Sequence, residues 1–174
     1  MIIGVVSDSH DNRGNVRVAA KLLRSLGVEY LVHLGDVVAP FTLRDLLESV
    51  KPRRFTLVYG NNDGEKVGLS LEASKAGGRA LDQPVVLKLD GRRILALHGF
   101  GAPDVTREVV ESLAESRRWD AVLYGHTHEA DFRYIRGVLL LNPGDLSGQL
   151  GKPSIALLDT STMRARLIDL DVKD

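Results

Sequence analysis

Five short clusters of Asp, His and Asn, each directly after an apolar run, constrain this sequence more than any other feature. They are Asp8-Ser9-His10, Gly35-Asp36, Gly60-Asn61-Asn62-Asp63, His98-Gly99 and Gly125-His126-Thr127-His128. Short apolar runs rich in β-branched residues are typical of strands that are buried on both faces. In open α/β sheets, ligands bind beyond the carboxyl ends of the strands. The five clusters are therefore predicted to converge on one site.

The first half of the chain alternates predicted strands with predicted helices. The strands are expected at 2–6, 30–34 and 55–59, and the helices at 16–26, 43–50 and, with a weaker pattern, 65–76. Thr42 is predicted to cap the second helix, which must end before Pro52. Such alternation implies right-handed crossovers and a parallel sheet.

After residue 78 the pattern changes to hairpins. One predicted hairpin joins 85–89 to 93–97 through an Asp-Gly turn, and another joins 132–135 to 138–141 through Arg-Gly. A helix at 105–114, a strand at 121–124 and two final strands at 155–158 and 165–168 complete the prediction. A half-parallel, half-hairpin pattern indicates an α/β protein with two packed sheets and helices outside, in one domain spanning residues 1–174.

Composition excludes several classes of function. The 23 Lys and Arg residues balance 23 Asp and Glu residues, which makes long nucleic acid an unlikely partner. Cysteine is absent, so nitrogen and oxygen atoms must hold any metal ion. No apolar run is long enough for a membrane span, and the first one is too short for a signal peptide. We therefore expect a cytoplasmic protein without a membrane partner.

The polar clusters carry the residue types that bind divalent metals. Imidazole and carboxylate oxygen are common ligands, and the donor set permits Mn, Fe, Co, Ni or Zn, of which we favour Mn. The candidate metal ligands are Asp8, His10, Asp36, Asn61, His98, His126 and His128. Seven donors suit two ions that share a bridging carboxylate. Two ions roughly 3.5–4 Å apart can clamp the attacking and leaving oxygens and lower the pKa of a bound water. The residual positive charge of such a site favours an anionic phosphate ester.

In this order, the five motifs resemble those of the calcineurin-like metallophosphoesterases, in particular the compact phosphodiesterase branch that also contains the eukaryotic retromer scaffold subunit. The resemblance runs from Asp8 to about Gly144. It implies a four-layer α/β/β/α sandwich of two mixed sheets flanked by helices, and homodimers are a family-level expectation. By similarity, one metal would be held by Asp8, His10, Asp36 and His128, and the other by Asp36, Asn61, His98 and His126. A hydroxide between the metals would attack phosphorus directly.

Asn62 departs from the family pattern. Protein-phosphatase relatives have His at this position and the compact branch commonly has Cys, whereas Asn cannot act as a general acid. The candidate catalytic residues are Asp36, Asn61, Asn62 and Asp63, with Asp63 expected to brace the loop or a ligand. Asp145, where relatives often have Ser, is a second departure to which the sequence alone gives little weight.

Structural roles compete with these assignments. Asp8 and Asp36 could cap helices, Asn61 to Asp63 has turn composition, and His98 could be a core histidine. His33 lies inside a predicted strand, matches no ligand position and is predicted to be structural. The function predicted first is a metal-dependent phosphodiesterase acting on a small phosphate ester. The alternatives are a phosphomonoesterase and a non-catalytic assembly scaffold with a vestigial metal site.

Overall fold

The structure is a computed structural model and describes residues 1–171, which form eleven strands and four helices. The strands are β1 (Ile2–Val6), β2 (Tyr30–His33), β3 (Arg54–Val58), β4 (Arg79–Leu81), β5 (Val85–Leu89), β6 (Arg92–Ala96), β7 (Ala121–Leu123), β8 (Asp131–Ile135), β9 (Val138–Asn142), β10 (Ser154–Asp159) and β11 (Arg164–Asp169). The helices are α1 (Arg13–Ser25), α2 (Pro40–Val50), α3 (Lys66–Lys75) and α4 (Pro103–Glu115).

The strands form two mixed sheets. The first has the order β11-β10-β1-β2-β3-β4, in which β1 to β4 are parallel while β10 and β11 run antiparallel at one side. The second has the order β5-β6-β7-β9-β8, in which β6, β7 and β9 are parallel and the two edge strands are antiparallel. The predicted parallel crossovers and both predicted hairpins are confirmed.

Three apolar clusters separate four layers. Side chains alternate between the faces of a strand, so that Val6 packs against α1 to α3 while Val5 packs between the two sheets. The interior between the sheets is closed by buried side chains from both, including Val32, Ile94 and Leu139. The third cluster joins α4 to the outer face of the second sheet. The α/β/β/α sandwich is confirmed.

Two local predictions were wrong. Helix α2 begins at Pro40, with Ala39 rather than Thr42 at its N-cap. Proline suits the first helical position because its missing N–H would have no intrahelical partner there, and the Thr42 hydroxyl instead donates to Asp11 Oδ1 at 2.5 Å. Strand β4 was not predicted, because three residues with no buried member give no periodic signal.

No helix between residues 1 and 171 combines the length and apolar character needed to cross a membrane.

Candidate metal centre

Backbone hydrogen bonds gather the five polar clusters at one edge of the sandwich. The Asp8 amide donates to the Gly35 carbonyl at 3.0 Å, which joins the loops after β1 and β2. The Gly125 amide donates to the His98 carbonyl at 2.9 Å, which joins the loops after β6 and β7. A third bond, from the His126 amide to Asp8 Oδ2 at 3.0 Å, connects the second sheet to the first. The predicted convergence of the strand ends is confirmed.

The backbone at this edge is held in an uncommon conformation. Five candidate ligands have positive φ angles, namely Asp8 at 54°, His10 at 38°, Asp36 at 57°, His126 at 69° and His128 at 57°. Residues other than glycine seldom adopt this left-handed region, although Asp and His enter it more readily than most. Sparsely populated backbone conformations cost about 1–3 kcal/mol each and cluster at functional sites.

The first ligand group comprises Asp8, His10 and His128. Asp8 is fully buried, and its Oδ1 lies 3.9 Å from His10 Nε2 and 3.6 Å from His128 Nε2. The two imidazoles are stacked with their ring centroids 5.1 Å apart. The group therefore presents one carboxylate oxygen and two ring nitrogens to the same space.

The second ligand group comprises Asp8, Asp36 and His98. His98 Nε2 lies 3.4 Å from Asp36 Oδ2 and 3.0 Å from Asn61 Oδ1. The His126 ring lies against His98, with centroids 5.0 Å apart. Each group thus contains residues from both sheets. His98 and His128 follow strands of the second sheet, whereas the other members follow strands of the first.

Asp36 belongs to the second group and also approaches His10 of the first, while Asp8 belongs to both groups. The same oxygen of Asp36, Oδ2, is 3.6 Å from His10 Nε2 and 3.4 Å from His98 Nε2. Burial opposes ionisation of this carboxyl, but the nearby His98 ring and two hydrogen bonds from Asn62 outweigh burial and hold its pKa well below the usual range. Asp36 is therefore a carboxylate at neutral pH. Burial raises the pKa of Asp8, and the neighbouring His98, Ser7 and His128 offset burial only in part.

Unsatisfied buried atoms show that the donor set fits a divalent cation. Asp8 Oδ1 and His10 Nε2 are buried and have no hydrogen-bond partner. An unpartnered polar atom away from water is costly, and an unpartnered charge is more so. Two atoms that both lie about 2.1 Å from one ion are about 3.0–4.2 Å apart for angles between 90° and 180°. The separations of 3.4–3.9 Å within the two groups match this range.

His98 gives the same result by a different route. Its Nδ1 lies 2.7 Å from the Leu34 carbonyl oxygen, which can only accept, so Nδ1 carries the proton. In neutral imidazole, the lone pair of Nε2 then faces oxygens of Asp36 and Asn61. A positive charge at this point, either a metal ion or a proton on Nε2, removes the repulsion; burial lowers the pKa of His98, but the nearby carboxylates of Asp36 and Asp8 outweigh burial and raise it. His126 belongs to neither group; its Nε2 donates to the Gly101 carbonyl at 2.6 Å, which leaves the lone pair on Nδ1.

Asp63 organises the loop that carries Asp36. Its carboxylate is 3% exposed and accepts hydrogen bonds from the amides of Asp36, Val37, Val38 and Gly60, at 2.8–3.0 Å. Both oxygens are used by these bonds. A Cβ on Gly60 would overlap Asp36 Oδ1, so glycine is required where this loop passes the carboxylate.

Asn62 contacts Asp36 through both backbone and side chain. Its amide N–H donates to Asp36 Oδ1 at 2.8 Å, and its Nδ2 donates to Oδ2 at 2.7 Å. Asn61 and Asn62 are exposed, so this side of the site is open to solvent. The side chain of Asn12 is occupied by contacts within the protein. It caps α1 and donates to the Ser147 carbonyl at 2.7 Å.

His33 lies outside both ligand groups. It is fully buried, with Nδ1 accepting from the Gly35 amide at 3.2 Å and Nε2 lying 3.1 Å from Ser9 Oγ. Burial lowers the pKa of His33 to about 4, so the ring is neutral at physiological pH. The prediction of a structural histidine agrees with this environment.

The contacts of three supporting residues were not predicted, although the sequence marked Asp145 as a departure from the family pattern. Gln83 Oε1 accepts from the amides of His98 and Gly99, at 2.8 and 3.0 Å. Asn142 Nδ2 donates to the Gly125 carbonyl at 3.2 Å. Asp145 Oδ2 lies 3.2 Å from His128 Nδ1. Asn142 directly follows the predicted strand at 138–141 and could have been found from that position, whereas Gln83 has no local signal.

A two-sheet sandwich whose strand ends bring buried carboxylates and imidazoles together is the architecture of a metal-dependent hydrolase. The sequence matches the family described as the calcineurin-like phosphoesterase superfamily domain over residues 1–163. The chain belongs to the calcineurin-like phosphoesterase superfamily, as the five motifs predicted.

Individual relatives agree with this assignment. Phosphodiesterase MJ0936 of Methanocaldococcus jannaschii is 34% identical over 173 residues, which cover 98% of this chain and 100% of that protein. A solved archaeal phosphodiesterase is 34% identical, covers 98% of this chain and 100% of its own, and superposes with a TM-score of 0.87. Wild-type Vps29 of Entamoeba histolytica, solved with Zn²⁺, shares the fold with a TM-score of 0.69 at 19% identity, covering 97% of this chain and 99% of its own.

Proposed function

We propose that this metallophosphoesterase is a phosphodiesterase that hydrolyses a small-molecule phosphate ester with two divalent ions. The observation that carries the proposal is the position of Asp36 Oδ2 between one histidine of each ligand group, 3.6 Å from His10 Nε2 and 3.4 Å from His98 Nε2. The likeness to phosphodiesterase MJ0936 supports the choice of a diester.

The residues divide between the two ions as the family resemblance implies. One ion would be held by Asp8, His10, Asp36 and His128, and the other by Asp36, Asn61, His98 and His126. When bound, the ions would supply a hydroxide nucleophile near neutral pH and would neutralise charge on the phosphate. We favour Mn, with Ni, Fe, Co and Zn as alternatives of the same donor preference.

Asp63 and Asn62 position Asp36, and Asn61 and Asn62 border the entrance to the site. Asp63 fixes the loop that presents Asp36, and Asn62 holds both oxygens of Asp36 in place. Asn61 and Asn62 border the open side of the site, where a phosphate ester enters. Asn62 has no proton to give at neutral pH, so esters whose leaving groups depart without protonation are favoured.

A single assay tests the proposal. Protein stripped with a chelator receives Mn²⁺, and hydrolysis of a chromogenic phosphodiester is compared with hydrolysis of the matching monoester. Because Asp36 serves both ligand groups, Asp36→Ala is expected to lower the metal-dependent rate by more than about 100-fold. The exposed Asp169 on β11 supplies the control, and Asp169→Ala is expected to leave the rate unchanged.

Each outcome selects one function. Metal-dependent diester cleavage that Asp36→Ala abolishes supports the phosphodiesterase, and a preference for the monoester supports a phosphomonoesterase instead. Metal binding without cleavage of either ester would sink the enzyme proposal in favour of the assembly scaffold. The single domain, the cytoplasmic location and the homodimer belong to the proposal as predictions.

A further inference from the structure

Asp145 is a buried carboxylate that touches a candidate metal ligand. It follows β9 in the turn after Gly144, and it is 1% exposed. Its Oδ2 lies 3.2 Å from Nδ1 of His128, while Nε2 of the same ring faces Asp8 Oδ1 at 3.6 Å. The imidazole of His128 therefore lies between two buried carboxylates, one on each ring nitrogen.

The position of Asp145 is fixed by its own turn. Oδ1 accepts from the amide and the hydroxyl of Ser147, at 2.9 and 2.5 Å, and Oδ2 accepts from the Leu150 amide at 3.0 Å. Both carboxylate oxygens are therefore held by the turn, and Oδ2 is kept beside the ring of His128.

The same turn is attached to the loop that carries Asp8. The Leu146 amide donates to the Ser7 carbonyl at 3.1 Å, and the Ser147 amide donates to the Asp8 carbonyl at 2.9 Å. Asn15 reinforces this connection from α1, because its Nδ2 donates to the Ser147 carbonyl at 2.9 Å. The distance between the two carboxylates on either side of His128 is therefore set by the backbone, independently of the ring.

We propose that Asp145 is a positioning residue that keeps the proton of His128 on Nδ1 and directs the Nε2 lone pair towards the metal centre. A carboxylate can only accept, so the ring nitrogen facing it must donate, and the other nitrogen is left free to ligate. The Nδ1–Oδ2 contact does not have the angle of a good hydrogen bond in this structure. The χ2 torsion of histidine is soft, and alignment of this contact requires only a rotation about it.

A merely structural role is the competing explanation. Asp145 also closes the turn from residue 145 to residue 150, and any substitution there disturbs that turn. Ser147→Ala separates the two roles, because it removes the hydroxyl bond to Oδ1 and leaves the carboxylate beside His128. Asp145→Asn removes the charge and one acceptor while it keeps the size of the side chain.

Metal binding supplies the first readout. Chelator-stripped full-length protein is titrated with Mn²⁺ in a calorimeter. Two binding steps are expected because the proposed function, on which this test rests, requires two ions. Partners of this kind typically contribute 10–100-fold in metal affinity. Asp145→Asn is expected to weaken one step by about 10–100-fold and to leave the other unchanged, whereas Ser147→Ala leaves both unchanged. Asp145→Ser provides the same comparison if the Asn variant does not fold.

The histidine tautomer supplies a second readout that needs no ion. In ¹⁵N-histidine-labelled, ion-free protein at a pH where the ring is neutral, His128 is expected to carry its proton on Nδ1. In Asp145→Asn the proton is expected to move towards Nε2, and a His128→Gln spectrum assigns the signals.

The outcomes separate this inference from the proposed function. If wild-type protein binds no Mn²⁺, but the His128 proton still moves in Asp145→Asn, the proposed function is refuted and the positioning role of Asp145 is retained. Three results for Asp145→Asn would each overturn the positioning role. The first is an unchanged His128 tautomer, and the second is unchanged Mn²⁺ affinity in both binding steps. The third is an equal loss of affinity in both steps together with a lower melting temperature.

Discussion

Removing the Asp63 carboxylate should unfold the protein at a markedly lower temperature, because four backbone amides depend on it. The bonds from the amides of Asp36 and Val37 are buried, whereas those from Val38 and Gly60 are partly accessible to water. Leaving a buried donor unsatisfied costs about 1–3 kcal/mol, and water can replace the lost partner at accessible sites. The two buried amides thus predict a loss of about 4 kcal/mol for Asp63→Ala.

The variant Asp63→Asn supplies a graded comparison. It keeps one oxygen but turns an NH₂ group towards two of the four amides, so we expect a loss of about 2 kcal/mol. For a chain of 174 residues, 1 kcal/mol corresponds to about 2–4 °C in melting temperature, so the alanine variant should melt about 8–16 °C lower. Urea unfolding followed by circular dichroism measures the free energies, with the exposed Asp82→Ala as control.

The reasoning fails if Asp63→Ala loses less than about 1 kcal/mol, because the buried amides would then have found other partners. It also fails in a different way if Asp63→Asn abolishes hydrolysis at full stability. That result would mean that Asp63 contacts the reacting groups directly, rather than acting through the loop around Asp36.

Two further predictions concern buried neighbours of the site. Because burial lowers the pKa of His33 to about 4 from the model-compound value of 6.5, its contribution to stability is present above pH 6.5 and is lost as the pH falls to about 4. Urea titrations between these pH values should show a loss of up to roughly 3 kcal/mol in wild type relative to His33→Gln, and parallel curves would contradict the assignment. A Cβ on Gly125 would overlap Ser7 Oγ and lie 3.0 Å from Asp8 Oδ2, so Gly125→Ala should weaken Mn²⁺ binding while Gly151→Ala, in open space, does not. Adding Ser7→Ala to Gly125→Ala should restore part of the affinity, and a double variant no better than the single one would locate the damage elsewhere.

The sequence was sufficient to predict the architecture, because each predicted strand carries a strong local pattern. Buried parallel strands such as β1 and β2 consist of consecutive apolar residues, and each hairpin has a glycine-containing turn between its two strands. β4 has neither property and is formed only by pairing with β3. The N-cap of α2 was mislocated because Thr42 is a good capping residue that is instead used by Asp11.

The site was predictable to the extent that its residues follow strands. The seven candidate ligands all stand at strand ends, and parallel topology alone is enough to bring such positions together. The contacts of Gln83 with His98 and of Asp145 with His128 were not predicted, because they depend on how two loops meet in space. Asp145 directly follows Asn142-Pro143-Gly144, and this composition indicates a turn but no contact with His128.

Since each ligand group takes residues from both sheets, an ion bound there would also act as a cross-link between the two halves of the sandwich. The unfolded chain has no such arrangement, so the ion would select the native state and add about 2.7 kcal/mol of stability at a concentration 100 times its dissociation constant. Proteases attack opened chains, and their access would therefore decline as the supply of free metal rises. Metal scarcity would shorten the lifetime of this protein as well as slow its chemistry.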